Sequence, residues 1–328
     1  AFAVDLRRTL ARGLRAAQLA PKVSVVIDGG GALGLDAIAA DVRLCAKKID
    51  GGTGLRVGVG GDAESAAQLG IVTPEHGVEA ATRLLDVLAQ RGCDARARNI
   101  LASEGIAEFR EAIGDLLITS ARPREGDDSE LHYRLLGNER KVAIGSHRLR
   151  DGSLACGIGL AFGHADATSL ERMIDAAQAA GASGARAAPG RVLMIIGVAP
   201  ETPGAFAAIA EQNGFIVRAD DPRRRVVACA GAPVCASAQI ASRAIAPRIA
   251  EIAAPHIDGA LTIHISGCTK GCAHAAPAAL TVVGTPEGCA LIANGSARDA
   301  SFALVAANDL PGAIADYLRE QKHRTSHV

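Results

Sequence analysis

Four of the eight cysteines fall in two short runs, Cys229-Ala-Gly-Ala-Pro-Val-Cys235 and Cys268-Thr-Lys-Gly-Cys272. A [4Fe–4S] cube needs four thiolates converging on one point. Two close pairs on two loops supply them with little ordering cost within each pair. Gly231, Gly267 and Gly271 let backbone N–H groups come near cluster sulfurs, and Pro233 stiffens the first loop. Residues 236–249 predict a helix starting at Cys235, whose positive N-terminal end would favour an anionic cluster. Two other readings stand beside this one. Four-cysteine zinc sites mostly use C-x2–4-C pairs, which the wider first spacing fits poorly. Cysteines are also often plain core residues, the reading given to Cys45, Cys93, Cys156 and Cys289.

With 328 residues the chain has room for about two domains, and it is too long for a disulfide-stapled scaffold. Lys+Arg and Asp+Glu both number 35. That balance argues against a bulk nucleic-acid binder, whose footprint is a basic excess. The longest uncharged stretch, 226–242, contains Pro233 and Gln239 and falls short of the ~20 apolar residues of a membrane span. No apolar secretory segment stands at the start. The expectation is a cytoplasmic protein with no membrane partner. The first residues, AFAVDLRRTLARGLRAAQLA, are Arg-rich and poor in acids, as a transit peptide is; the plainer reading is a first helix.

Hydrophobic spacing predicts a helix over 1–20, strands at Val23–Asp28, Asp41–Cys45 and Leu55–Gly60, and helices over 78–91 and 105–117. A polar connection over 121–150 marks a boundary. Beyond it come a strand (Leu154–Leu160), a helix (Thr168–Ala180), a Gly-rich turn and a strand (Arg191–Val198). A helix (Pro203–Asn213) and a strand (Gly214–Val217) follow. This order suggests a ferredoxin-like sandwich. Strands at Leu261–Ile265, Leu280–Val283 and Cys289–Ala293 precede a last helix, Leu310–Glu320. VSVVIDGG, DVRLC and GLRVGVGG in the first third answer LTIHISGC, ALTVVG and CALIANG in the last, which points to a duplicated unit. Gly29-Gly30-Gly31-Ala32-Leu33-Gly34, with Asp50 downstream, satisfies a dinucleotide-binding fingerprint. Because the duplicate continues from strand to strand at that place, a hairpin turn is the preferred reading.

The two cysteine runs, the stretch ISGCTKGCAH and the duplicated unit resemble the nitrite/sulfite reductase family. The resemblance covers nearly the whole chain. It implies an α+β fold of duplicated nitrite/sulfite reductase-type α/β domains with an intervening ferredoxin-like half-domain. The domains fall at 1–120, 151–220 and 221–328, with 121–150 as linker. It implies that Cys229, Cys235, Cys268 and Cys272 hold a 4Fe-4S cluster, with Cys272 at the position that bridges to siroheme iron. GARAAPGRVLMIIGV resembles the family's arginine strands, placing Arg186 and Arg191 on tetrapyrrole carboxylates. Lys22 matches one cation of a substrate-facing segment, while Ser24 stands where a second is usual. Thr269-Lys270 replaces the reductases' Pro-Asn, so Lys22 and Lys270 are the candidate catalytic residues.

ACAGAPVCAS, SGCTKGCAHAAPAALTVVG and APGRVLM are most similar to the branch of the family that hydroxylates a siroheme-like tetrapyrrole in aerobic cobalamin biosynthesis. That likeness implies a monooxygenase acting on a tetrapyrrole and O2. It forms a γ-lactone on the macrocycle, with electrons from an unidentified donor reaching it through the cluster. It also implies a mononuclear non-haem iron, whose ligands the sequence does not assign; His264 and His274 bracket the second cysteine pair and are candidates, while a lone His on a strand is more often a core residue. A siroheme-dependent sulfite or nitrite reductase is the alternative, and a non-catalytic iron–sulfur scaffold the second. Family members begin with a further ferredoxin-like half, so the chain is read as N-terminally truncated.

Overall fold

β1 (Val25–Asp28) and β2 (Ala40–Ile49) pair in parallel, Val25 opposite Val42 and Asp28 opposite Cys45. β3 (Gly52–Gly61) and β4 (Ala67–Val72) continue the sheet antiparallel in the order β1-β2-β3-β4. The computed structural model describes residues 2–12, 16–31, 33–50, 52–118, 143–256 and 261–325. Among them, no helix lies between β1 and β2. Both readings of the glycine run therefore fail. A dinucleotide fingerprint opens a helix, and a hairpin joins antiparallel strands. Instead the buried Asp28 carboxylate accepts the N–H groups of Gly30 and Leu35, at 2.9 and 2.8 Å. Buried Arg43 donates to the carbonyls of Leu35 and Ile38, holding the loop from the other side.

α1 (Phe2–Arg12) is shorter than the expected first helix. α2 (Gly77–Gln90) presents Ala81, Leu84, Leu85 and Leu88 at helical spacing, and these join Val42, Leu44, Val57, Val59 and Phe109 in one buried core. The helix expected over 105–117 is broken. α3 (Ala97–Glu104) ends at Gly105, whose φ of +81° suits glycine. α4 (Ala107–Ala112) and a 3₁₀ turn at 114–116 follow.

The chain forms two compact units, Ala1–Lys141 and Val142–Val328. The second holds two sheets. β5 (Gly145–Arg148), β6 (Leu154–Gly159), β7 (Gly184–Ala188) and β8 (Val192–Val198) lie antiparallel in the order β5-β6-β8-β7. α5 (Ala167–Ala179) and α6 (Pro203–Gln212) pack Met173, Ala177, Phe206 and Ala210 against Cys156, Ile158 and Ile195. Asp166 caps α5 by accepting the Ser169 N–H at 2.9 Å. β5 lies within 121–150, the stretch read as linker; the part of that stretch up to 142 lies outside the described residues. The strand expected at 214–217 is a single antiparallel bridge from Ile216 to Gly159.

The other sheet runs β13-β12-β11-β10-β9. It comprises β9 (Val226–Ala228), β10 (Ile263–Ser266), β11 (Ala278–Thr285), β12 (Gly288–Gly295) and β13 (Ala303–Val305). β9, β10 and β11 are parallel, the rest antiparallel. α7 (Ser242–Ala253) and α8 (Leu310–Thr325) bury Ile249, Ala250, Ile314 and Leu318 with Ile263, Ile265, Leu280 and Val282.

The duplication is visible in the pairing. β10-β11-β12-β13 repeats β1-β2-β3-β4, one parallel pair followed by two antiparallel ones. In the parallel pairs, Val25 opposite Val42 corresponds to Ile263 opposite Leu280, both shifted by 238 residues. Asp28 opposite Cys45 corresponds to Ser266 opposite Val283 at the same shift of 238. The sequence match of VSVVIDGG to LTIHISGC is thus a match of register.

Candidate metal centre

β9 and β10 are parallel neighbours with Ala228 opposite Ile265, so the segments leaving their carboxyl ends start side by side. Cys229 follows β9 directly, and Gly267-Cys268 follows β10. Sheet pairing, rather than loop conformation alone, brings the two cysteine runs together.

Three contacts then join the loops. The Gly267 N–H donates to the Cys229 sulfur at 3.0 Å. The Gln239 N–H donates to the Gly267 carbonyl at 2.7 Å. Lys270 Nζ donates to Ser237 Oγ at 2.9 Å. The glycines are used for close approach. Gly231 has φ +68°, and a Cβ there would meet the Ser242 nitrogen at 2.4 Å. A Cβ on Gly267 would fall 2.6 Å from the Ala238 Cβ and 3.4 Å from the Cys229 sulfur.

The helix expected to start at Cys235 starts instead at Ser242. The backbone between them is committed elsewhere, with Ala238 turned back onto the Cys235 carbonyl and Gln239 onto Gly267. The helix end that adjoins the thiols is that of α7, whose first residue, Ser242, accepts from the Cys229 thiol at 3.5 Å.

Cys229, Cys235 and Cys268 are half-buried and Cys272 is exposed. Among the described residues, no three Cys, His, Asp or Glu side chains converge closely enough to hold one metal ion. A single zinc holds its thiolates at about 2.3 Å, whereas a four-iron cube receives one thiolate at each corner and spaces them more widely. Paired thiols on interlocked loops, an N–H aimed at sulfur and a glycine with no room for a side chain fit the donor set of such a cube. His264 and His274 flank the second pair with ring centroids 5.7 Å apart. Among the described residues no third ligand joins them. His264 is fully buried with neither ring nitrogen hydrogen-bonded in the structure, and burial, with the nearby His274, pushes its pKa down to about 4.

The other expected residues are placed differently. Arg186 is exposed on edge strand β7, opposite Met194 of β8. Arg191 lies in a different setting from Arg186. Its half-buried guanidinium donates to the carbonyls of Val226 and Arg224 at 3.0 and 3.1 Å, tying β8 to β9 instead of facing outward. Lys22 is exposed just ahead of β1, in the first unit. The Ser24 N–H donates to Asp41. Asp41 was not singled out by sequence, yet it is a buried polar anchor of the first unit. It accepts two bonds from Arg96 Nε, one from Arg96 Nη2 and one from the Ala97 N–H, at 2.9 to 3.2 Å. Its only sequence signal is a charge at the head of an apolar strand.

No family model matches the chain. A precorrin-3B synthase from a Sinorhizobium species is 36% identical over 315 residues, which cover 96% of this chain and 65% of that protein. A protein named sulfite reductase [ferredoxin] 1, from Mycolicibacterium paratuberculosis, is 24% identical over 68% of this chain and 42% of its own length. The chain thus spans less than two thirds of the curated relatives it matches. The solved structure of the Mycobacterium tuberculosis NirA protein superimposes with a TM-score of 0.67 at 20% identity, covering 87% of this chain and 58% of that one. That likeness speaks to fold. Among the described residues, no helix is long and apolar enough to cross a membrane.

Proposed function

We propose that the chain is a member of the nitrite/sulfite reductase family and that it carries the cluster of a monooxygenase of aerobic cobalamin biosynthesis, converting precorrin-3A to precorrin-3B. The observation that carries the reading is the Gly267–Cys229 contact, which fastens the two cysteine runs together at the ends of two parallel strands. The likeness to a precorrin-3B synthase along 96% of the chain supports precorrin-3A as the substrate.

Cys229, Cys235, Cys268 and Cys272 would hold a 4Fe-4S cluster, which supplies electrons one at a time. Cys272, the exposed thiol, is the one open to a macrocycle. Arg186, exposed and on an edge strand, is suited to pair a tetrapyrrole carboxylate bidentately. Arg191, bonded to the Val226 and Arg224 carbonyls, acts as a strut. In the overall reaction one oxygen atom of O2 enters the macrocycle, and the other leaves as water with two electrons and two protons. Siroheme here gives way to a siroheme-like tetrapyrrole as substrate. A second iron, the electron donor and a cytoplasmic location belong to the same proposal.

The test is turnover of the full-length protein with precorrin-3A, O2 and a chemical electron source. Formation of the hydroxylated lactone, with loss of activity in Cys272→Ser, is expected. Reduction of sulfite or nitrite, with no oxygenated tetrapyrrole, would assign the reductase reading instead.

A further inference from the structure

Lys270 stands between the second pair of cysteines, and its ammonium does not point away from the loops. Nζ donates at 2.9 Å to Ser237 Oγ, two residues beyond Cys235. One side chain therefore spans from the second cysteine run to the first. Its partner is a neutral hydroxyl, and no described carboxylate forms an ion pair with it, so its positive charge stays uncancelled in a groove that Cys268 also lines. Ser237, Gln239, Cys268, Thr269, Lys270, Thr285 and neighbouring residues line an open groove, so the ammonium sits at the wet rim of the site.

We infer that Lys270 is a positioning residue for the cluster, not a group that acts on substrate. It would strap the two cysteine loops together and raise the cluster's reduction potential. The inference deepens the cluster reading and rests on it. The physical argument has two parts. A charge-assisted hydrogen bond is about twice as strong as a neutral one, and this one adds to the backbone links of Gln239 and Gly267 across the same gap. The second part is Coulombic. A cluster that gains an electron gains negative charge, and a nearby cation stabilises that state more than the oxidised one. The groove is open to water, so the effect is screened and falls as salt rises.

The experiment compares wild type with Lys270→Met, Lys270→Arg and Ser237→Ala. Each is reconstituted anaerobically with iron and sulfide, then titrated with dithionite through mediator dyes. Iron content and the midpoint potential are both read. Lys270→Met is expected to hold its iron more weakly and to be reduced about fivefold to tenfold less favourably, a tenfold change being about 59 mV for one electron. Lys270→Arg should restore most of the potential, since it keeps the charge. Ser237→Ala should release iron faster to a chelator while keeping most of the potential. A loaded Lys270→Met with wild-type potential and iron retention would overturn the inference and leave the cluster reading standing. A wild-type chain that takes up no cluster would overturn the cluster reading, and this inference with it.

Discussion

The backbone N–H of Gly267 lies 3.0 Å from the sulfur of Cys229, across 38 residues of sequence. The contact exists because β9 and β10 run parallel, with Ala228 opposite Ile265, so their carboxyl ends lie side by side. It explains why a side chain is not tolerated at 267. A Cβ there would stand 2.6 Å from the Ala238 Cβ, so Gly267→Ala must push the two loops apart. The variant should fold, with near-native circular dichroism, and retain much less iron after reconstitution. Iron and acid-labile sulfide per chain are the measurement, and wild-type iron content in the variant would refute the account of this contact.

Gly231 makes a second test of the same loop. Its φ of +68° and the Ser242 nitrogen 2.4 Å from a would-be Cβ combine two penalties in one substitution. Left-handed backbone alone costs an ordinary residue about 1–2 kcal/mol. Gly231→Ala should therefore lower the unfolding free energy measured by urea melts by more than that cost alone, because the start of α7 must also shift.

In the first unit, Asp41 is 2% exposed and holds Arg96 and the start of α3. Burial alone would raise its pKa, but hydrogen bonds from Arg96, Ala97 and Ser24 outweigh that and hold it below the ordinary carboxylate value. Its stabilisation is therefore present above the unfolded-state pKa and is lost as pH falls through the lower folded value, below about 4. Asp41→Asn should cost about 2 kcal/mol. That is less than the 3–5 kcal/mol or so of breaking a fully buried pair, because Arg96 keeps partial access to water. Urea melts at several pH values check both claims, the Asn variant losing the wild type's acid sensitivity in this range.

His264 works in a different pH window. Its pKa falls from an ordinary 6.5 to about 4, chiefly through burial. Between those values the unfolded chain binds a proton that the folded chain refuses, so stability declines as pH falls from about 6.5 to 4. The shift corresponds to about 3 kcal/mol. His264→Leu should flatten that part of the pH profile and leave stability at pH 8 unchanged or higher, since two unbonded ring nitrogens leave the interior. An unchanged acid slope would contradict this.

Much of this was legible in the sequence because it rests on short-range patterns. The cysteine spacings marked the site, alternation marked β1, β2 and β3, and the repeated strand–glycine–strand order anticipated the shared register. What escaped depends on partners distant in sequence. Residues 236–241 read as helix by local pattern, but Gln239 bonds to Gly267 instead. β7, Gly-Ala-Arg-Ala-Ala, carries no apolar alternation and is a strand only because β8 pairs with it. Arg191 and Arg186 look alike in sequence. Only the placement of β9 shows that Arg191 is spent on the Val226 and Arg224 carbonyls while Arg186 stays exposed.

The central claim is that the four thiols of Cys229, Cys235, Cys268 and Cys272 hold one four-iron cluster in a protein without resident siroheme. The visible absorption spectrum of anaerobically purified protein, taken before and after dithionite, tests it most directly. The account predicts a broad sulfur-to-iron shoulder that bleaches on reduction, with about four iron atoms per chain and no macrocycle bands. A colourless protein that binds no iron, or sharp siroheme bands alongside the shoulder, would contradict it.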